Sequence, residues 1–329
     1  MQSSINEYKN FTSYSLESAY SFLLFSAINE LFYLVYSPKN GIILVYNMNY
    51  MQMESSLDLN LMDINEIRHY LYKKNKVDLL SIFSYINCEI IIVNFNTSEK
   101  IFNLNLMNNE FHYIESFDLI EHNDDLLIIT SQSETIEEKL YSKIISYDLL
   151  NNEKLTFAIT NLLRNIFIYI DNNEVFIVGM NNKFVMSISY CEIEKNRIER
   201  IYNDKTKNKH YNILIQKIDK VLKLFETCFD GFLRIWDFYS VTLLKKIKLD
   251  NEKIYDICFF NNNLLFFGAN NGKINLIILD KEEIVFNLKI HNGPIISLAK
   301  NAEFLISQGL GEEKIKIWKI KDFMDKFVN

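Results

Sequence analysis

Proline and glycine are rare in this chain, which has two prolines and eight glycines among its 329 residues. Collagen-like and low-complexity chains need far more of both, so these classes are excluded. Alanine, the best helix former, is also scarce, whereas the β-branched and aromatic residues typical of strands are abundant. Because 49% of the residues are apolar, a chain of this length can bury a large core.

Cysteine is scarce as well, and the four cysteines form no Cys-x-x-Cys pair. All of them lie inside apolar, strand-like runs: Cys88, Cys191, Cys228 and Cys258. The sequence therefore predicts buried thiols in a reducing compartment, not disulfides or a zinc site.

Long apolar runs and excess positive charge are absent too. A net charge of −7 argues against nucleic acid as the main ligand, although a local basic patch stays open. The N-terminus has no basic segment followed by an apolar one, so no signal peptide is expected. The most apolar segment, residues 20–36, is broken by Asn29 and Glu30, so no membrane span is expected. We expect an intracellular protein, cytoplasmic or nuclear, without direct membrane insertion.

A short apolar strand that ends in a small residue recurs seven times along the chain. The seven small residues follow one another at steps of 41 to 48 residues: Ser37, Ser84, Ser131, Gly179, Thr227, Gly268 and Gly309. A regular period of this length is the sequence signature of a repeat architecture. Seven similar units therefore fill the chain.

Each unit contains the signals of three strands, and a fourth strand usually follows. Tight turns follow five of the small residues, at Asn40-Gly41, Asn87-Cys88, Asn182-Lys183, Asp230-Gly231 and Asn271-Gly272. The third unit has an acidic insertion there, Gln132 to Glu138, and the seventh has Gly311-Glu312. Four strands repeating at about 40–45 residues indicate a propeller blade. We predict an all-β, seven-bladed β-propeller of four-stranded antiparallel blades, with residues 1–329 as a single domain.

The closing strand of the last blade and the first strand of the second unit do not follow from the repeat alone. The last unit stops after its third strand, so we predict that residues 1–13, chiefly Ile5 to Ser13, supply the closing fourth strand. Residues 63–66 resemble a helix capping box, and Ile64, Ile67 and Leu71 fall at helical spacing. The repeat register nevertheless favours a strand there.

Two third strands carry a longer motif, Asp230 to Asp237 and Glu312 to Lys319, and Leu288 to His291 precedes the second of them. These stretches resemble WD repeats, whose turn acid, histidine and tryptophan form a hydrogen-bonded network within a blade. Carried over by position, the network residues are His210, Asp230 and Trp236 in the fifth unit, and His291, Glu312 and Trp318 in the seventh. The small hydroxyl residue expected on the second strand is not evident, since Glu226 and Gln308 lie near its place.

Recognisable catalytic motifs are absent from the sequence. The five histidines are scattered over different units, and there is no glycine-rich phosphate loop or nucleophile elbow. We therefore assign no catalytic, cofactor-binding or metal-binding residues and expect a protein that is not an enzyme. The spacing of residues along the sequence does not test for a catalytic site whose residues come from different blades.

The remaining candidate for function is the surface. The resemblance implies that loops between fourth and first strands, and between second and third strands, share one rim that binds partners. Two of these loops are charged: one contains Glu134, Glu137 and Glu138, and the other contains Lys205, Lys207 and Lys209. They are either ordinary solvated loops or a docking rim for partners.

We expect a non-catalytic protein-interaction scaffold in a multi-subunit complex. One alternative is a substrate receptor of a ubiquitin ligase, although such receptors usually carry Trp-Asp-x-Arg and Trp236-Asp237-Phe238-Tyr239 lacks the arginine. The other is a protein-binding component of an RNA-processing or ribosome-assembly complex, for which a contiguous basic face would be needed.

Overall fold

The computed structural model describes residues 13–17, 21–27, 31–38, 41–105, 112–122, 125–136, 139–149, 154–159, 164–171, 174–180, 184–189, 199–205, 210–249, 253–312 and 314–327. The chain divides into two compact units, one made of residues 1–19 with 208–329 and the other of residues 20–207. The expectation of a single domain over residues 1–329 stays a prediction.

The fold is a seven-bladed β-propeller, because the described strands form seven four-stranded antiparallel sheets. The predicted fold class is thereby confirmed. The first strand is β1 (Ser13–Glu17). Residues 20–207 form the first four blades. Blade 1 consists of β2 (Ser21–Ser26), β3 (Phe32–Ser37), β4 (Ile42–Asn47) and β5 (Gln52–Asp58), and blade 2 consists of β6 (Ile64–Tyr72), β7 (Val77–Ser84), β8 (Glu89–Asn94) and β9 (Lys100–Asn105). Blade 3 consists of β10 (His112–His122), β11 (Asp125–Ile136), β12 (Lys139–Asp148) and β13 (Lys154–Ile159), and blade 4 consists of β14 (Arg164–Asp171), β15 (Glu174–Met180), β16 (Val185–Ser189) and β17 (Glu199–Tyr202).

The other unit contains the last three blades. They are blade 5, β18 (His210–Ile218), β19 (Val221–Cys228), β20 (Phe232–Asp237) and β21 (Leu243–Lys248); blade 6, β22 (Ile254–Phe259), β23 (Leu264–Ala269), β24 (Lys273–Ile278) and β25 (Glu283–Lys289); and blade 7, β26 (Ile295–Lys300), β27 (Phe304–Gly309) and β28 (Lys314–Lys319) with β1. A helix, α1 (Ile320–Phe327), follows β28.

Inner strands are buried on both faces, whereas outer strands face solvent. In the second strand β7, seven of eight residues are buried, but the fourth strand β5 is exposed along most of its length. Five apolar clusters fill the spaces between consecutive blades. Three of them lie between blades 1 to 4 in one compact unit, and two lie between blades 5 to 7 in the other. This packing explains why apolar residues crowd both sides of the inner strands instead of alternating.

Tight turns lie where the sequence predicts them. Gly41, Gly231 and Gly272 have φ of 70°, 74° and 77°, and Cys88 has φ of 48°. A Cβ at Gly41 would also overlap the carbonyl oxygen of Leu61, so this position requires glycine for two reasons. The predicted turn at Asn182-Lys183 lies outside the described residues.

The acidic insertion of blade 3 is part of a long hairpin. Strand β11 continues to Ile136 and pairs with β12 as far as Ile136↔Lys139, so Glu134 lies opposite Tyr141. The prediction that Glu134 belongs to a turn is therefore wrong. The extra residues lengthen both strands instead of enlarging the loop between them.

The N-terminal closing strand is confirmed, and it extends beyond the predicted segment. β1 pairs antiparallel with β28, from Ser13↔Trp318 to Glu17↔Lys314. Only Ser13 of the predicted segment lies in it, and residues 1–12 lie outside the described residues. The period-two alternation of Ser13 to Glu17, with Tyr14 and Leu16 between polar residues, is the strand signal that the repeat analysis passed over.

Two other segments test the balance between strand and helix. Residues 64–72 form β6, so the strand favoured by the repeat register is confirmed. In contrast, α1 was not expected. Its buried Phe323 packs against Phe286 and Trp318, with ring centroids 5.3 and 6.3 Å apart. Among the described residues, no helix has the length and apolarity needed to cross a membrane.

Blades 3 and 6 each use a first-strand aspartate to hold the next blade. On β22, Asp256 accepts the N–H of Ile257 at 2.8 Å and the N–H of Leu298, on β26, at 2.6 Å. On β10, Asp118 accepts the N–H of Leu119 at 2.9 Å and that of Ile168, on β14, at 2.6 Å. One carboxylate thus links the first strands of two consecutive blades.

The two aspartates have different neighbours. The guanidinium of Arg68 lies 3.2 Å from Asp118, whereas Asp256 receives a neutral side-chain amide from Asn212. Burial raises the pKa of Asp256 to about 7, despite the two backbone donors that oppose this change.

Deletion of residues 1–17 is expected to lower the free energy of unfolding, because it removes β1 and leaves the edge of β28 unpaired. Each ladder hydrogen bond that is lost contributes about 0.5–1.5 kcal/mol. Deletion of residues 1–12 is the matched control, since it retains all five paired residues. Circular dichroism melts of both truncations check this, and equal melting temperatures would contradict it.

Asp256 is expected to make stability depend on pH. Its folded pKa of about 7 exceeds its ordinary value of 3.8, so its contribution is fully present below that ordinary value and is lost as pH rises through the folded one. The unfolding free energy of the wild type, relative to Asp256→Asn, should therefore fall by at most ~1.4 kcal/mol per pH unit across this window. Urea denaturation at several pH values measures it, and a constant difference would disprove the assignment.

Candidate functional site

Blade 7 holds a continuous chain of polar contacts between its strands and turns. The Nδ1 atom of His291 lies 2.5 Å from Oε2 of Glu312, and its Nε2 atom lies 2.8 Å from Oγ of Ser307. The indole N–H of Trp318 donates to the same Ser307 hydroxyl at 3.2 Å. The predicted residues His291, Glu312 and Trp318 therefore belong to one network, and Ser307 joins them.

The protonation states of this network follow from its donors. Burial lowers the pKa of His291 even though Glu312 opposes this change. Burial alone would raise the pKa of Glu312, but the N–H of Asn292 and the imidazole hold it below its ordinary value. A neutral imidazole then donates from Nδ1 to the carboxylate and accepts the Ser307 proton at Nε2, while the Ser307 oxygen accepts the indole N–H of Trp318.

Ser307 is the hydroxyl residue that the sequence analysis did not find. Gln308, placed near that position, is the neighbouring residue and points to the other face of β27, because side chains alternate along a strand. Ser307 is completely buried. Its hydroxyl is therefore available only to the network.

Blade 5 has a different arrangement, built around Glu226. The Trp236 indole donates to Oε2 of Glu226 at 3.0 Å, while Nδ1 of His210 lies 2.7 Å from Oε1. The Cys228 thiol also donates to Oε1, at 3.1 Å. Burial, reinforced by the charge of Glu226, raises the pKa of Cys228, so the thiol stays protonated in this arrangement.

The predicted network of His210, Asp230 and Trp236 differs in the structure, because Glu226 is the acid that contacts both His210 and Trp236. Asp230 binds Arg234 instead, with Oδ1 accepting from Nη1 at 3.2 Å and a second contact through Oδ2. Arg234 is completely buried, and its charge requires a carboxylate partner. Asp230 is thereby occupied, and His210 turns to Glu226.

The strand register explains why His210 differs from His291. His210 lies opposite Cys228, whereas in blade 7 the corresponding pair is Ile295 and Gly309. His291 precedes Ile295 by four residues and packs against Gly309. His210 is therefore not the counterpart of His291, and the cluster around Glu226 differs from the network of blade 7.

The charged docking rim stays a prediction. Glu134 lies in a strand, and Lys205 is exposed. The remaining four residues lie outside the described part of the chain: Glu137, Glu138, Lys207 and Lys209. The described residues thus bring no members of the rim together.

An exposed apolar patch lies instead at one edge of blade 2. Met62, between β5 and β6, is 60% exposed, and Tyr85 and Ile86, in the turn between β7 and β8, are 48% and 49% exposed. We call these three residues the apolar edge patch. Sequence reasoning missed it because it looked for charge, although the pair Tyr85-Ile86 in a predicted turn was a usable signal.

Hydrogen bonds hold the two loops of this patch together. The N–H of Met62 donates to Oδ1 of Asn87 at 2.9 Å, and the Ser84 hydroxyl contacts both the Met62 carbonyl and Asn87. The N–H of Tyr85 donates to Oδ1 of Asn65 at 2.6 Å. The patch is therefore built on a preorganised backbone.

Comparisons with known proteins agree with this fold and identify no family. No protein-family model matches the chain, and no curated protein matches it. Among solved structures, a crystal structure of the computationally designed Ika8 protein is similar, with a TM-score of 0.60 and 14% sequence identity over 92% of this chain and 84% of that chain. At this identity the likeness shows the fold alone.

Ser307→Ala is expected to destabilise the protein by about 1–3 kcal/mol, because it leaves His291 and Trp318 without a shared partner in a buried place. The control is Ser297→Ala, on the neighbouring strand, whose half-buried hydroxyl makes no hydrogen bond to the described residues. Urea denaturation of both variants checks this. Equal losses in the two would show that the network contributes nothing.

Proposed function

We propose that this chain is a divergent WD-repeat propeller that works as a non-catalytic platform for protein–protein interaction in a multi-subunit complex. The network of His291, Ser307, Glu312 and Trp318 supports the WD-repeat part, since it joins the residue types that the resemblance implies. The polar clusters of blades 5 and 7 are engaged in hydrogen bonds inside the blades, which favours a structural use over catalysis.

The apolar edge patch carries the interaction part of the proposal. Three large apolar side chains exposed side by side are costly to leave in water, and such patches mark sites where partners bind. Methionine and tyrosine are also enriched at protein interfaces. Because the loops are already fixed by hydrogen bonds, a partner would lose little free energy in ordering them.

The unit of blades 5 to 7 has an aromatic edge of its own. Tyr211 stacks on Phe229 with ring centroids 5.2 Å apart and meets Tyr255 edge-on at 4.8 Å. The ammonium of Lys253 lies 4.6 Å from the ring centre of Phe229. These residues lie at the start of first strands or in the turn after a second strand, the same kind of edge as in blade 2.

The partner is expected to be a peptide or domain that presents apolar side chains to the apolar edge patch. The double variant Met62→Ser and Ile86→Ser should weaken its binding at least tenfold, about 1.4 kcal/mol. Quantitative affinity purification of the full chain, followed by a binding titration with the recovered partner, measures this effect.

The matched control is the double variant Met53→Ser and Ile101→Ser. Met53 and Ile101 are 61% and 50% exposed, close to the 60% and 49% of Met62 and Ile86, but they lie on fourth strands. Both double variants should keep the melting temperature of the wild type, because all four side chains are largely in solvent. An unchanged set of partners for the Met62 and Ile86 variant would refute the proposal.

A further inference from the structure

His210, Glu226 and Cys228 form a buried cluster that the repeat does not require. The position of His210, opposite the last residue of the second strand, is occupied by isoleucine in blades 2, 6 and 7. Those residues are Ile64, Ile254 and Ile295. A blade can therefore be built with an apolar residue there, and blade 5 departs from these three blades by placing an imidazole against a carboxylate and a thiol.

We propose that Nδ1 of His210, Oε1 of Glu226 and Sγ of Cys228 bind a zinc ion. These three atoms are mutual neighbours, with separations of 2.7 Å for Nδ1 and Oε1, 3.1 Å for Sγ and Oε1, and 3.5 Å for Sγ and Nδ1. A point ~1 Å off the plane of the three atoms lies ~2 Å from each, the length of zinc–nitrogen and zinc–oxygen bonds. Zinc–sulfur bonds are ~0.3 Å longer, which a small rotation of the Cys228 side chain provides.

The ligand types select the metal. Magnesium and calcium take oxygen ligands, whereas imidazole with thiolate is typical of zinc and its borderline-soft neighbours. Only these three residues offer ligands to this point within the described part of the chain. The fourth position of a tetrahedral ion is thereby left for a water molecule.

The charges of the cluster balance on binding. The ion binds Nδ1 of His210 in the tautomer that carries its proton on Nε2, so only the thiol proton of Cys228 leaves to solvent. The thiolate and the Glu226 carboxylate then carry two negative charges, which the dication neutralises, so the occupied site carries no net charge.

Surrounding residues already orient the ligands. The Trp236 indole holds Oε2 of Glu226, so that Oε1 faces His210 and Cys228. Such outer hydrogen bonds to a ligating carboxylate fix its direction. Asp230 does not compete for the ion, because Arg234 binds it. The ion would join β18 to β19 near their common end and stabilise blade 5.

Cobalt(II) titration of the full chain tests this proposal without reference to the proposed function. The metal-stripped wild type should develop a thiolate-to-cobalt charge-transfer band that saturates at one equivalent. Cys228→Ala should lower the band at least tenfold. Cys258→Ala is the control, since Cys258 is a half-buried free cysteine on β22 of the same unit, and it should leave the band unchanged.

A folded wild type without the band, or an undiminished band in folded Cys228→Ala, would overturn the proposal. If that variant does not fold, hydrogen exchange of the wild type with one equivalent of zinc decides the matter. Protection should rise in peptides that contain β18 and β19 and fall again with a chelator. Unchanged exchange there would also reject the site.

Discussion

The structure depends on the burial of both faces of the inner strands. A blade with two apolar faces cannot cover them alone, so each blade needs a neighbour on either side. The five apolar clusters are the result, each filling the space between consecutive blades within a unit. Some polar side chains are nonetheless buried within the strands, among them Ser187, Arg234 and Ser307. At those places they must find partners, because the water that would satisfy them elsewhere is excluded.

Blades 5 and 7 satisfy their buried polar groups with different residues at equivalent positions. In blade 7 the neutral Ser307 accepts from Trp318 and donates to His291. In blade 5 Glu226 takes that position, and a buried carboxylate needs more donors than a hydroxyl does. Tryptophan, thiol and imidazole supply them. The fully buried Arg234 and its partner Asp230 form an ion pair in the same blade. The carboxylate of blade 5 and the hydroxyl of blade 7 thus have different sets of partners.

The blade strands were largely predictable from the sequence because their signal is local: a buried apolar run followed by a tight turn. The networks were harder, since a shift of one residue moves a side chain to the opposite face. The repeat was aligned on Thr227, but the strand register equates Cys228 with Gly309. With that one-residue correction, Glu226 and Ser307 fall at the same position. The meeting of His210 with Cys228 and the docking of α1 depend on tertiary contacts, which no local pattern contains.

The interior cluster and the half-buried aromatic edge of blade 5 are connected through the backbone. Tyr211 directly follows His210, and Phe229 directly follows Cys228. His210 and Cys228 face each other within the blade, while the rings of Tyr211 and Phe229 stack. Any constraint on the buried pair therefore also restricts the stacked pair. A rigid aromatic edge loses less conformational entropy when a partner binds than a mobile one does. A zinc ion bound at His210 and Cys228, as proposed, would therefore also restrain the aromatic edge of blade 5.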